Sequence, residues 1–297
     1  MLTRGGGGGE GAAKDVFDER SLSEGDGGEK EEDLHPLEDV TDADSVTLYP
    51  CAAITFIEAA EEQWASEQAW GLPDVAITLL LYAAVVLIFV FAPSEVAEAV
   101  SYFVLMAAYL ASTWAALAGW PALASWQRGN GPAVDFGMTL RWMHIAWGAA
   151  YGCACIGVAV VLAVVTQMVF GKFDSNAGDV LTSGRFSPNE TLVFLCLVAF
   201  GAPVVEEISF RGLVFCSLAK SLASLPYHPL LVGFLTAVYF AAFHMEPVRL
   251  PLLLGVALVL SLARYHTASL TAPIVAHMML NSLPLLLFCW MLAGVPR

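Results

Sequence analysis

The chain has 297 residues, of which 58% are hydrophobic and only 14% charged, and its mean hydropathy is +0.67. A water-soluble globule with that balance lacks the polar surface to cover itself, so composition excludes one. The thirteen Lys and Arg are scattered singly against 28 acids, for a net charge of −15, which excludes a nucleic-acid surface.

Between Met1 and Asp44 fourteen acids stand against four bases, so ten of the fifteen net negative charges lie in the first 44 residues. With the glycine run from Gly5 to Gly9, residues 1–48 read as an acidic, Gly-rich disordered tail that buries too little apolar surface to fold. Residues 49–73 mix Ile54, Phe56, Ile57, Trp64 and Trp70 with Glu58, Glu61, Glu62 and Glu67. They form a candidate interfacial segment, although its polar face lacks the Lys and Arg usual there.

Seven apolar blocks follow, over residues 75–92, 99–117, 144–170, 191–209, 230–244, 250–263 and 270–292, and good helix formers carry the fourth on to about residue 221. A helix crossing a bilayer core of about 30 Å needs roughly 20 such residues. The expected fold is therefore all-α, a multi-pass transmembrane helical bundle of about seven spans, with N-terminal transmembrane helices over 74–139 and a core over 140–297. Trp114, Trp120, Trp126, Trp142 and Trp147 gather near the ends of the second and third blocks, as aromatic belts do. Gly148 and Gly152 make a G-x-x-x-G step along which another helix can approach. Five of the six cysteines lie in apolar blocks with neither zinc spacing nor a disulfide framework, so they read as packing residues.

Ionisable groups inside apolar spans are expensive, and each is a functional candidate by default. The last hundred residues concentrate them: Glu206, Glu207 and Arg211 in one run, His244 four residues after Phe240, and His277 four before Asn281. On an α-helix adjacent carboxylates point about 100° apart, so Glu206 and Glu207 have different tasks. Glu207 and Arg211 are related as i and i+4 in the acid-before-base order that pairs best, which leaves Glu206 free to act on water as a general base. His277 and Asn281 share a face, and both carry donors suited to an oxyanion. The same carboxylate and imidazoles are also the ligand types of a divalent metal such as zinc, and spacing does not choose between the two.

The motifs E-E-x-x-x-R, F-x-x-x-H and H-x-x-x-N, in this order and each within an apolar block, resemble those of the CPBP (CAAX protease and bacteriocin-processing, or ABI) family, which includes the type II CAAX prenyl endopeptidases. The resemblance covers roughly residues 140 to 294 and includes Glu206, Glu207, Arg211, Phe240, His244, His277 and Asn281. It implies a helical core with an intramembrane polar active-site cavity, and an endopeptidase in which Glu206 and His244 activate the hydrolytic water. The implied partners are a protein or peptide substrate, prenylated in the CAAX enzymes, and membrane lipid. No cofactor is fixed, and zinc stays open. A non-catalytic binding or immunity module on the same fold, and a proton-coupled transporter, are the alternative readings. The short loops point to a bacterial plasma membrane. His144, His228 and His266, at block ends beside Trp, Pro or Arg, read as interfacial, and Glu246, just after His244, as a helix-end loop acid.

Overall fold

The computed structural model describes residues 69–294 apart from 94, 96–98 and 174, so the expected tail and most of the candidate interfacial segment lie outside the described residues. Helices α1 (Leu72–Val90), α2 (Tyr102–Arg128), α4 (Trp142–Phe170), α6 (Pro188–Leu222), α8 (Pro247–Thr267) and α9 (Thr271–Gly294) are each long and apolar enough to cross a membrane. Short helices α3 (Pro132–Asp135) and α5 (Asn176–Thr182) lie in the connections, and α7 (His228–Phe243) completes the set expected from the seven apolar blocks. The described residues contain no strand, and the chain is an integral, multi-pass membrane protein.

The 16 residues of α7 span only about 24 Å, short of the roughly 30 Å hydrocarbon thickness. Its C-terminal residue, Phe243, is followed at once by His244. Helix α2 runs past residue 117 to Arg128, because a π-turn at Ala115–Gly119 absorbs the change of register instead of ending the helix. Helix α6 starts where its sequence demands: Ser187 accepts from the Glu190 amide, the Glu190 carboxylate accepts from the Ser187 amide, and Pro188 occupies the first turn.

The distribution of polarity is that of a protein in lipid. Leu80, Ile88, Phe91, Val161, Met168 and Leu286 face outward, whereas Asp74, Asp135, Glu207, Arg211, Arg264 and His277 are buried. Helix α8 is the most enclosed of the spanning helices. The G-x-x-x-G step works as its spacing suggests. A Cβ on Gly148 would lie 2.7 Å from Val275 Cβ, and one on Gly152 would lie 2.7 Å from Met279 Sδ, so α4 and α9 touch along the turns that carry His277. Gly152→Leu is expected to pry these helices apart and destabilise the protein by about 1–3 kcal/mol, the usual cost of overpacking. Thermal unfolding in detergent measures it, and an unchanged midpoint would show that the close approach is dispensable.

A buried network holds α1 and α2 to α6. Asp74 pairs with Arg128 and accepts from Trp120 Nε1 at 3.2 Å and the Gly71 amide at 3.0 Å. Asp135 accepts from Ser125 Oγ at 2.6 Å and Trp70 Nε1 at 2.9 Å, while Lys220 of α6 donates to the Trp70 carbonyl and stands 3.4 Å from the centre of its ring. Trp70, at the end of the candidate interfacial segment, is thus a core residue, and Trp120 serves as a half-buried donor. Trp126 and Trp142 are exposed, as a belt requires.

Candidate active site

Helix α6 alternates between two helical registers. Its α-helical segments are Pro188–Cys196, Ala202–Glu207 and Phe215–Leu222, separated by π-turns at Leu197–Gly201 and Ile208–Val214. The carboxylate pair sits in the short α-segment between the two π-turns. Such turns widen the helix and re-aim side chains, and they recur at functional sites. The first has a visible cause in Pro203. In the π-register the Ala202 amide bonds Leu197 O, so the next amide would bond Val198 O, but proline has none. Asn281 supplies the missing donor: its Nδ2 lies 3.2 Å from Val198 O.

Glu207 is fully buried, and its Oε1 accepts two bonds, from Arg211 Nη1 at 3.0 Å and from His277 Nδ1 at 2.9 Å. The expected i,i+4 pair is therefore present, and a third partner arrives from α9. Arg211, also fully buried, donates through Nη2 to Ala257 O of α8 at 3.0 Å, and its guanidinium lies 4.6 Å from the centre of the Phe240 ring. Phe240 is thus a wall that the cation and both imidazoles touch, with ring centres 4.5 Å from His244 and 5.9 Å from His277.

Glu206 points elsewhere. Its side chain is one-fifth exposed, and Oε2 lies 3.8 Å from His277 Nε2 and has no hydrogen-bond partner among the described residues. The second oxygen of Glu207 is likewise unpartnered. His244 donates from Nδ1 to the Phe240 carbonyl at 2.8 Å, which leaves Nε2 as the nitrogen with a lone pair in the neutral ring. Around it, Asn176 of α5 donates from Nδ2 to His244 O at 3.4 Å, and its amide donates to Glu246 at 2.6 Å. Glu246 also pairs with Arg249, so it is engaged in bracing the turn after His244. The Tyr82 ring of α1 packs at a tilt against Phe243, ring centres 4.3 Å apart, bringing a residue of the N-terminal helices to the same end of α7.

The structure brings Glu206, Glu207, Arg211 and His277 into direct contact and joins His244 to them through Phe240. Asn281 faces the Val198 carbonyl. His144, His228 and His266 stand apart, bonded to Thr139, Leu225 O and Tyr151. Sequence reasoning missed Ala257, Asn176 and Tyr82, whose roles arise only on folding, and Pro203, whose place three residues before a carboxylate pair inside a long helical block was a readable sign of a bulge. Among the described residues no three His, Cys, Asp or Glu side chains gather as a metal-ligand group. Each imidazole spends Nδ1 on a protein acceptor and leaves Nε2 open, an arrangement that suits a hydrogen-bonding or a metal-ligating ring alike, while Glu207 is committed to Arg211 and His277.

Residues 188–283 match the family model described as type II CAAX prenyl endopeptidase Rce1-like. The match runs from the start of α6 into α9 and contains every motif residue named above, while α1, α2 and α4 lie outside it. No curated protein matches the chain, and no solved structure does.

Proposed function

We propose, from the premise that the chain belongs over residues 188–283 to the family of type II CAAX prenyl endopeptidases, that it hydrolyses a peptide bond within the membrane by a water held between Glu206 and His244. The observation that carries this reading is the division of labour in the carboxylate pair. Glu207 is committed to Arg211 and His277, whereas Glu206 keeps a buried oxygen with no hydrogen-bond partner among the described residues, beside His277 Nε2.

The reaction follows from these positions. Glu206 takes one proton of the water as its oxygen attacks the scissile carbonyl carbon, and His244 Nε2 accepts a hydrogen bond from the other. In its doubly protonated form His277 meets the developing oxyanion through the proton on Nε2 while Nδ1 donates to Glu207, which orients the ring. When the tetrahedral intermediate collapses, the C–N bond breaks and the proton held by Glu206 passes to the departing amine. The products are a new carboxylic acid and a new amine, with no net proton consumed by the protein. Arg211 fixes Glu207, and Asn281 positions the Glu206 segment by anchoring the π-turn before it. Four-fifths of the Glu206 side chain is buried, and the lower local polarity strengthens each of these interactions.

The family description supports a protein or peptide substrate, here one ending in a prenylated C-a-a-X box. The test is a farnesylated C-a-a-X peptide incubated with the purified full chain in lipid vesicles, with release of the C-terminal fragment read by mass spectrometry. Cleavage by the wild type, lost in Glu206→Gln, is the expected result. A peptide bound but never cut would instead favour a binding module. A chelator is expected to leave the rate unchanged, and a loss restored by added zinc would overturn the metal-free route.

A further inference from the structure

The second π-turn of α6, Ile208–Val214, presents the same problem as the first and meets a different solution. In an α-helix the Arg211 carbonyl would accept from the Phe215 amide. That amide bonds Phe210 O and Gly212 O instead. The Arg211 carbonyl lies in the buried core, where an unsatisfied acceptor is costly. Its donors come from elsewhere: Arg264 Nε of α8 at 3.3 Å, and more weakly the Cys216 thiol at 3.9 Å. Arg264 is itself buried and uses the rest of its fork to donate to Ala268 O at 2.7 Å and to Cys216 Sγ at 3.6 Å.

Arg211 and Arg264 therefore make a reciprocal exchange between α6 and α8. The side chain of Arg211 donates to a backbone carbonyl of α8, at Ala257, and the side chain of Arg264 donates to the backbone carbonyl of Arg211. Both bonds converge on one residue of α6, the residue whose guanidinium orients Glu207. A buried charged residue is expensive, and packing alone does not explain it. We infer that Arg264 is a positioning residue: it replaces the donor that the π-turn takes from the Arg211 carbonyl, and so holds the register that aims Arg211 at Glu207. A lysine cannot do this, because one ammonium does not reproduce the planar fork that reaches the Arg211 and Ala268 carbonyls together.

The inference rests on the hydrolytic reading only in its kinetic arm. Hydrogen exchange of the full chain in detergent, with the variants Arg264→Met and Cys216→Ala, tests it without any substrate. Arg264→Met is expected to raise exchange across residues 208–214 by about tenfold or more while α4 and α9 keep their protection. Cys216→Ala, which removes only the weak donor, is expected to leave the segment as it is. A folded Arg264→Met protein with unchanged exchange at 208–214 overturns the inference, and so does a rise spread evenly over all helices, the mark of a merely structural arginine. Should Arg264→Met fail to fold, Arg264→Lys, which keeps the charge, must show the same local rise, and its absence overturns the inference equally. With the farnesylated peptide as probe, kcat is expected to fall about tenfold at unchanged KM, since misorientation acts on the chemical step. If the wild type cuts no such peptide, the proposed function fails while the exchange experiment still decides the role of Arg264.

Discussion

Glu206→Gln is expected to lower the rate of peptide cleavage by about 10²- to 10⁴-fold, the range for removing a positioned general base. The substitution keeps volume and shape and removes only the ability to take a proton. It leaves the Glu207 contacts to Arg211 and His277 untouched, so the protein should still insert and unfold at its normal temperature. His244→Ala is expected to fall in the same range, because it deletes the Nε2 acceptor that the bond from Nδ1 to Phe240 O leaves available. Initial rates on the farnesylated peptide, beside a thermal melt of each variant, decide the matter. Two variants that stay folded and keep wild-type rates would sink the hydrolytic mechanism. Proton-coupled uptake into vesicles, abolished by both, would move the protein to the transporter class.

The second large effect concerns stability. Arg211→Met is expected to destabilise the protein by about 3–5 kcal/mol, because it strands the Glu207 carboxylate in a buried site with His277 as its remaining partner. Adding Glu207→Gln to that variant should recover part of the loss, since the uncompensated charge disappears with it. A double-mutant cycle on reversible unfolding in detergent measures this coupling, which for residues in direct contact is about 0.5–3 kcal/mol. The physical basis is the asymmetry of buried ion pairs: the pair itself adds little net stability, but each half alone is costly. If Arg211→Met melts with the wild type, the pair does not organise the site. The cycle is independent of any substrate, so it separates the architecture of the site from its chemistry.

The parts of the site that were legible in the sequence share one property, which is that their geometry is local. Glu207 and Arg211 lie four residues apart, so a helix of either register brings their ends within reach, and the ion pair forms although Arg211 stands in a π-turn. The G-x-x-x-G step at Gly148 is local in the same sense, and it packs as expected. Asn281 is the instructive contrast. Its spacing to His277 placed both on one face of α9, yet what its amide meets depends on Pro203 and on the carbonyl that Pro203 leaves without a donor. That carbonyl belongs to Val198, more than eighty residues earlier, and no periodicity in α9 points to it.

Apolar length and buried charge thus determined from sequence alone that this chain crosses the membrane many times and carries a polar site within it, because both follow from transfer costs counted residue by residue. The order of three short motifs added a resemblance to one family, whose model matches residues 188–283. Only the tertiary structure chose the further partners of the i,i+4 pair of Glu207 and Arg211, His277 on Glu207 and the Ala257 carbonyl on Arg211. That choice depends on where α8 and α9 set their carbonyls and imidazoles against a helix whose register shifts twice, and long-range packing of this kind leaves no periodic trace along the polypeptide.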